Sequence, residues 1–302
     1  MIAQYAEFAF ASLSPTDVKE FISIMAQNAN KWASEGWGGY AFPAIATSAL
    51  NVIVMMTPKL TLEEAQASME PLNNFAIGKN LTRLSTALPL AKSVSTIPSF
   101  YEFFAGSGGA LQNANGGGAA LSSRLVPSKY FGSENQDATT DALYDIIEAS
   151  IVNTDPALPL FICITGPSNY AVPESDRPGG PGASAVTPAW RSSPWHVIHT
   201  RPWDPTDPTV SGTGSVNAIF AAAHNAMNPL RKLTPDGGAY QNEADTFEPD
   251  PAGSFWGMDS YNRLIGLKKE MDPGNLLTVH QGIGWDSGDE RWGCYPEDPN
   301  GS

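Results

Sequence analysis

Two hydrophobic periods alternate through the first 78 residues, and neither can be satisfied by the structure that suits the other. Residues 2–10, IAQYAEFAF, are mostly apolar with partial alternation, the pattern of a strand. Ser14-Pro15 follows, with Ser as a helix N-cap and Pro at the first helical position. Val18, Phe21, Ile22, Met25, Ala29 and Trp32 then recur at helical spacing. Gly36 to Gly39 break that helix. Residues 40–56 hold one or two strands ending in NVIVMM. Thr61-Leu62-Glu63-Glu64 is a capping box, which predicts a second helix to about Phe75. Strand, helix, strand, helix is the pattern of an α+β layer, with helices packed on one face of a sheet.

The rest of the chain is rich in loops, with 28 Gly and 25 Pro. Residues 81–104 contain a further strand and an aromatic patch of Phe100, Tyr101, Phe103 and Phe104. The run AGSGGALQNANGGGAALSS reads as a surface loop, since it holds neither a dinucleotide fingerprint nor a phosphate-binding loop pattern. No helix follows Ser107 at once, as a nucleophile elbow requires. A helix is predicted over about Thr139 to Val152, a short buried strand over Leu160 to Thr165, and a strand in SPWHVIHTRPW. Residues 166–193 before that strand are rich in Gly, Pro and Ser. Ser215 to Leu233 reads as a helix with an Ala-rich face. A last helix is predicted from an N-cap at Ser260 through Lys268-Lys269, stopped by Asp272-Pro273-Gly274.

Charge narrows the function classes. The net charge of −14 is the opposite of a nucleic-acid footprint. The last 67 residues concentrate it, with 13 acidic against 4 basic side chains. No apolar run approaches the roughly 20 residues of a membrane span, and the longest, Ala44 to Met56, is well short. No basic leader or cleavage pattern follows Met1. Two glycosylation sequons, Asn80-Leu81-Thr82 and Asn300-Gly301-Ser302, are compatible with a secretory history. Cys163 lies in the apolar run LPLFICIT and reads as a buried small hydrophobe. A bridge from it to Cys294 is open at this point.

The segment 237–284 carries the most specific signal. It contains Tyr240, Asn242, Asp245, Trp256-Gly257, Tyr261, Arg263-Leu264, Lys268-Lys269, Asp272-Pro273 and Gln281-Gly282-Ile283, in order over 48 residues. This series resembles the C-terminal segment of the berberine-bridge-enzyme-like family of FAD-linked oxidases. Ser260 and Leu277 depart from the Asn and Phe common in that pattern. Further upstream, Ser123-Arg124-Leu125-Val126-Pro127, Thr187-Pro188-Ala189-Trp190-Arg191 and Trp195-His196-Val197 also look like this family. The resemblance implies an antiparallel sheet flanked by helices, the substrate domain of the FAD-linked oxidase fold, over residues 1–233. Residues 234–302 would then be a C-terminal segment packing toward a flavin-binding half. It further implies that FAD comes from another FAD-binding polypeptide, either a partner chain or an N-terminal fragment of the same precursor.

Flavin oxidases need a base and a floor against the cofactor, which itself does the redox chemistry. The resemblance implies Tyr240 as acid/base or substrate contact and Asn242 as flavin contact. Both residues also suit a tight turn after Gly237-Gly238. His196 is the second catalytic candidate, and His280 and Gln281 are further cofactor-side candidates. His196 and His199 fall on opposite faces of a strand, so no metal site is expected from them. Glu243 and Asp245 are expected to bond turn backbone, and Arg263 to pair with Asp245 or Glu248. Three functions stay open: half of a split flavin oxidase acting on a small organic or natural-product substrate, a flavin-independent cyclase or isomerase, and a non-catalytic binding protein derived from an oxidase.

Overall fold

The computed structural model describes residues 2–11, 13–45, 50–81, 93–107, 117–150, 160–165, 184–207, 210 and 213–296. In chain order the elements are β1 (Ala3–Ala11), α1 (Pro15–Ser34), β2 (Gly38–Phe42), β3 (Leu50–Thr57), α2 (Leu62–Ser68), α3 (Glu70–Gly78), β4 (Val94–Ile97) and α4 (Phe100–Ser107). There follow β5 (Gly118–Val126), α5 (Gln136–Ala149), β6 (Leu160–Ile164), β7 (Trp195–Trp203), α6 (Thr213–Leu233), α7 (Pro251–Trp256) and α8 (Met258–Met271). The strands form one sheet in the order β4-β1-β3-β2-β6-β7-β5. Every neighbouring pair is antiparallel. The fold is α+β, an antiparallel sheet flanked by helices.

The register sorts side chains onto two different faces. Ile53, Ala41, Ile162, Val197 and Arg124 lie opposite one another across β3, β2, β6, β7 and β5. One residue away along each strand, Val54, Tyr40, Cys163, His196 and Leu125 form the adjacent row. Successive side chains of a strand point to opposite faces. Ile53, Ala41, Ile162 and Val197 of the first row join the core with Phe8, Phe10, Met55 and the apolar faces of α1, α5 and α6, while Arg124 at its end is a buried charge. The second row faces away from that core, and Tyr40 remains 53% exposed.

Helix α1 is built as its spacing predicts. Ser14 accepts from the Asp17 amide, and Val18, Phe21, Ile22, Met25, Ala29 and Trp32 are all buried. Phe10 meets Phe21 and Phe75 edge-on, with ring centroids 5.8 and 5.5 Å apart. The Thr61 capping box is present. The single helix expected to Phe75 is instead two, since Pro71 in the first turn of α3 cannot continue the α2 hydrogen-bond ladder.

Other expectations shift. The aromatic patch forms α4, leaving Phe100, Tyr101 and Phe104 exposed. The glycine-rich run gives way to strand β5 at Gly118; its residues 108–116 lie outside the described residues, as do 166–183. Ser260 is not the N-cap of α8. Gly257, with φ 74°, takes that place behind the unforeseen short α7, and the Ser260 hydroxyl donates to the Ser184 carbonyl. Cys163 and Cys294 are both free thiols. Among the described residues no helix is long and apolar enough to cross a membrane.

Truncating the aromatic contact that joins β1 to α1 and α3 should be costly. Phe10→Ala is expected to lower unfolding stability by about 3–5 kcal/mol, read from chemical denaturation midpoints, with Phe10→Leu losing less.

Candidate functional site

The site forms where the C-terminal segment crosses the end of the sheet. Beyond α6 the chain turns at Thr234–Gly237 and lies against β5, where the Leu125 amide donates to the Gly238 carbonyl at 2.8 Å. The Ala239 amide continues this seam to the Ser254 carbonyl at 3.0 Å. The two glycines are required by close approach. A Cβ on Gly237 would stand 2.6 Å from the Leu125 carbonyl oxygen, and one on Gly238 would stand 2.8 Å from the Ala189 Cβ. Ala239 packs with Phe255 and Trp256 in a second, smaller apolar cluster.

This seam delivers Tyr240 to the row of side chains turned away from the core. Its ring lies 6.1 Å from His196 and 5.9 Å from Trp190, and Trp190 lies 5.2 Å from His196. The Asn242 amide donates to the Tyr240 hydroxyl at 2.8 Å. Two candidates from different parts of the chain, Tyr240 and His196, thus meet, with Asn242 at their side.

His196 is only 2% exposed. Burial lowers its pKa from 6.5 to about 4, so the ring is neutral at neutral pH. Its Nδ1 stands 3.6 Å from Glu243 Oε2, and its Nε2 is buried without a hydrogen-bond partner. Glu243 therefore faces His196 rather than bonding the turn backbone. Cys163 lies directly opposite His196 in β6, and Tyr40 opposite Cys163 in β2. Burial, with the Glu243 charge adding to it, pushes the Cys163 thiol up to about 11. It is a neutral, weakly polar side chain and not a nucleophile. Tyr40 stacks on Phe42, which meets Phe161 edge-on, so an aromatic wall adjoins the polar row.

On the other face of the sheet a buried charge network holds the segment in place. Asp245 accepts from His224 Nδ1 at 2.8 Å, from Ser122 Oγ at 3.2 Å, from Arg231 Nη2 and from the Phe247 amide. Glu248 faces Arg124 and Arg231 at 3.7 and 3.8 Å and accepts from Ser254 Oγ at 2.6 Å. Arg124 also donates to Thr234. Burial pushes the Asp245 carboxyl up, but the His224 hydrogen bond and the Arg231 charge together hold it below the usual carboxylate value. The expected partner Arg263 is exposed on α8; Arg231 and Arg124 take its place.

His280 and Gln281 lie in the tail. His280 stacks on Tyr295 at 3.9 Å beside Trp285 and Trp292. Gln281, left-handed at φ 54°, donates its amide to the Thr246 carbonyl. Neither joins the Tyr240 contacts. His199 faces the helices, with Nδ1 3.3 Å from the Ser150 hydroxyl. No cluster of metal-ligating side chains occurs among the described residues.

Residues 239–284 match the protein family described as Berberine and berberine like. The chain is 27% identical over 267 residues to FAD-linked oxidoreductase OXR2 of Pyricularia oryzae, covering 88% of this chain and 40% of that protein. It is 26% identical over 285 residues to FAD-linked oxidoreductase cheF of Chaetomium globosum, covering 92% and 40%. The fold is similar to that of the VAO-type flavoprotein MtVAO713 from Myceliophthora thermophila, with a TM-score of 0.70 at 20% identity over 94% of this chain and 48% of that one. The chain thus spans about 40% of the length of these curated relatives.

Two stability outcomes follow. Asp245→Asn removes the carboxylate that accepts from His224 and Arg231, leaving Arg231 only the Glu248 charge at 3.8 Å, and should cost about 3–5 kcal/mol, measured by denaturant unfolding. Burial holds both His196 and His280 near 4 in the fold against 6.5 in the open chain. Between those values the unfolded chain binds more protons, so stability should decline as pH falls from 6.5 toward 4. His196→Gln should flatten that decline in a pH series of melting curves.

Proposed function

We propose that this chain, berberine-like in its C-terminal segment and similar along most of its length to FAD-linked oxidoreductases, is the substrate-side part of such an enzyme. It acts on a small organic or natural-product substrate with FAD held by an FAD-binding polypeptide, either a partner chain or another part of the same precursor. The observation that carries the reading is the meeting of Tyr240, Asn242 and His196 over the sheet face turned away from the core. Tyr240 and Asn242 come from the berberine-like segment itself.

The residues fit a flat cofactor and a small substrate. His196 Nε2 is buried with no hydrogen-bond partner, Trp190 and Tyr240 set their rings beside it, and Tyr40 and Phe42 lie further along the same face. Leu276, Leu277 and Val279 are 85%, 80% and 56% exposed, apolar area of the kind that another polypeptide covers. The bound flavin would supply the hydride acceptor. Tyr240, its hydroxyl held in place by the Asn242 amide, takes the substrate's proton at Oη. Trp190 and the Tyr40–Phe42 wall orient the substrate and exclude water. Asn242 would be the residue of this segment that helps hold the cofactor when it is bound.

Purification from the native source, with an absorption scan and intact mass, tests this. A flavin spectrum together with an FAD-binding polypeptide supports it. A colourless protein with turnover in the absence of flavin would instead favour the cyclase or isomerase reading. In the flavin-loaded protein, Tyr240→Phe should slow anaerobic flavin bleaching by roughly 10²–10⁴-fold, with little change in stability.

A further inference from the structure

We propose that Glu243 fixes the tautomer of His196, so that this ring presents a bare Nε2 to its ligand and selects aromatic ligands carrying a hydroxyl or N–H donor. Glu243 is thereby a positioning residue, and His196 the acceptor that reads the ligand. The word ligand rests on the substrate-side reading above; the tautomer does not.

The geometry begins with strand β7. His196 is held between Cys163 of β6 and Leu125 of β5, so its ring emerges on the face turned away from the helices. Trp190 and Tyr240 bracket it. Glu243 ends the short 3-10 turn Gln241–Glu243, whose amide donates to the Tyr240 carbonyl at 3.0 Å. Asp245, two residues on, is locked to the sheet by Ser122, His224 and Arg231. The carboxylate is thus set from a fixed backbone toward the Nδ1 edge of the ring, at 3.6 Å.

A neutral imidazole carries one N–H, on either nitrogen. With the proton on Nδ1, the ring dipole points favourably at the carboxylate. With the proton on Nε2, a lone pair faces that carboxylate and the pair repel. The partner of one ring nitrogen decides which tautomer is present, so the proton resides on Nδ1. Nε2 is then an acceptor, buried and without a partner. A buried acceptor left unbonded costs free energy, which a ligand donor recovers and a ligand ether or methyl group does not. The neighbouring Cys163 thiol and the Tyr40 and Tyr240 hydroxyls remain the other titratable groups on this face. The ring faces of Trp190 and Tyr240 favour a flat ligand.

The test uses the chain alone. Its four histidines permit side-chain nitrogen NMR at about pH 8, where carboxyls are ionised and imidazoles neutral. His196 is assigned by the signal lost in His196→Gln. The expected spectrum has a pyrrole-type Nδ1 and a pyridine-type Nε2 for His196. Glu243→Leu should shift the ring toward the Nε2–H form, while Glu243→Gln, whose carbonyl still accepts, should keep the native signature. A native His196 protonated on Nε2, or a tautomer unmoved by Glu243→Leu, overturns the proposal. Phenol and its methyl ether anisole are then titrated. Phenol should move the Nε2 resonance and anisole should not; equal responses, or none to phenol, overturn the donor selectivity. None of these signals requires flavin, so a failure of the oxidoreductase reading would show separately, as a protein without a flavin spectrum.

Discussion

Everything at the candidate site depends on two acids and two guanidiniums buried where the C-terminal segment meets the sheet. Asp245 and Glu248 face Arg231 and Arg124, with His224, Ser122, Ser254 and Thr234 occupying further hydrogen-bonding positions. Removing such groups from water is expensive, and their attraction offsets the cost only when the geometry is well filled. A network of this kind is poor at adding stability and good at specifying one arrangement. Here the arrangement it specifies is the path of residues 237–248 across β5. The Gly237-Gly238 seam sets the distance of closest approach, and the charges set the position along the strand.

The sheet divides labour between its faces. The helix-covered face holds the continuous core that runs from Ala6 to Leu230, closed by rings such as Phe10, Phe21 and Phe75. The opposite face carries residues that serve a core poorly: Tyr40, Cys163 and His196 in one row. A rigid, well-packed layer on one side is what allows a half-covered polar row on the other to keep its geometry. Binding groups placed on strands are held more tightly than groups on loops.

Much of the fold was legible because its local signals agree with its packing. Ser14-Pro15, the α1 apolar stripe and the Thr61 capping box all act within a few residues, and each appears where its chemistry places it. The misreadings share a physical cause: a tertiary contact overrides a local preference. Ser260 is a good capping residue, yet Gly257 takes the cap because a left-handed turn is needed to bring α8 back after α7. Arg263 has the right charge for Asp245, but helix α8 turns it outward to solvent. Arg124 sits at a core-facing position of β5, and an arginine in that row demands a buried acid. Neither the strand that places Arg124 there nor the acid that answers it shows in any local pattern.

The same distinction explains the site. Tyr240 and Asn242 could be singled out because they belong to one continuous, recognisable segment. His196 could be placed on a strand face by alternation alone. What no spacing reveals is that Glu243 faces His196, because the two are joined only through the pairing of β5 with β7 and of Leu125 with Gly238. Register makes this connection, and register is a property of the whole sheet. A one-residue slip of β7 would turn His196 toward the helices and His199 outward. The buried aliphatic row of Leu160, Ile162 and Val197 forbids that slip, since it would carry apolar side chains to the open face. The hydrophobic core is therefore what aims the imidazole, and the charge network is what brings the carboxylate to meet it.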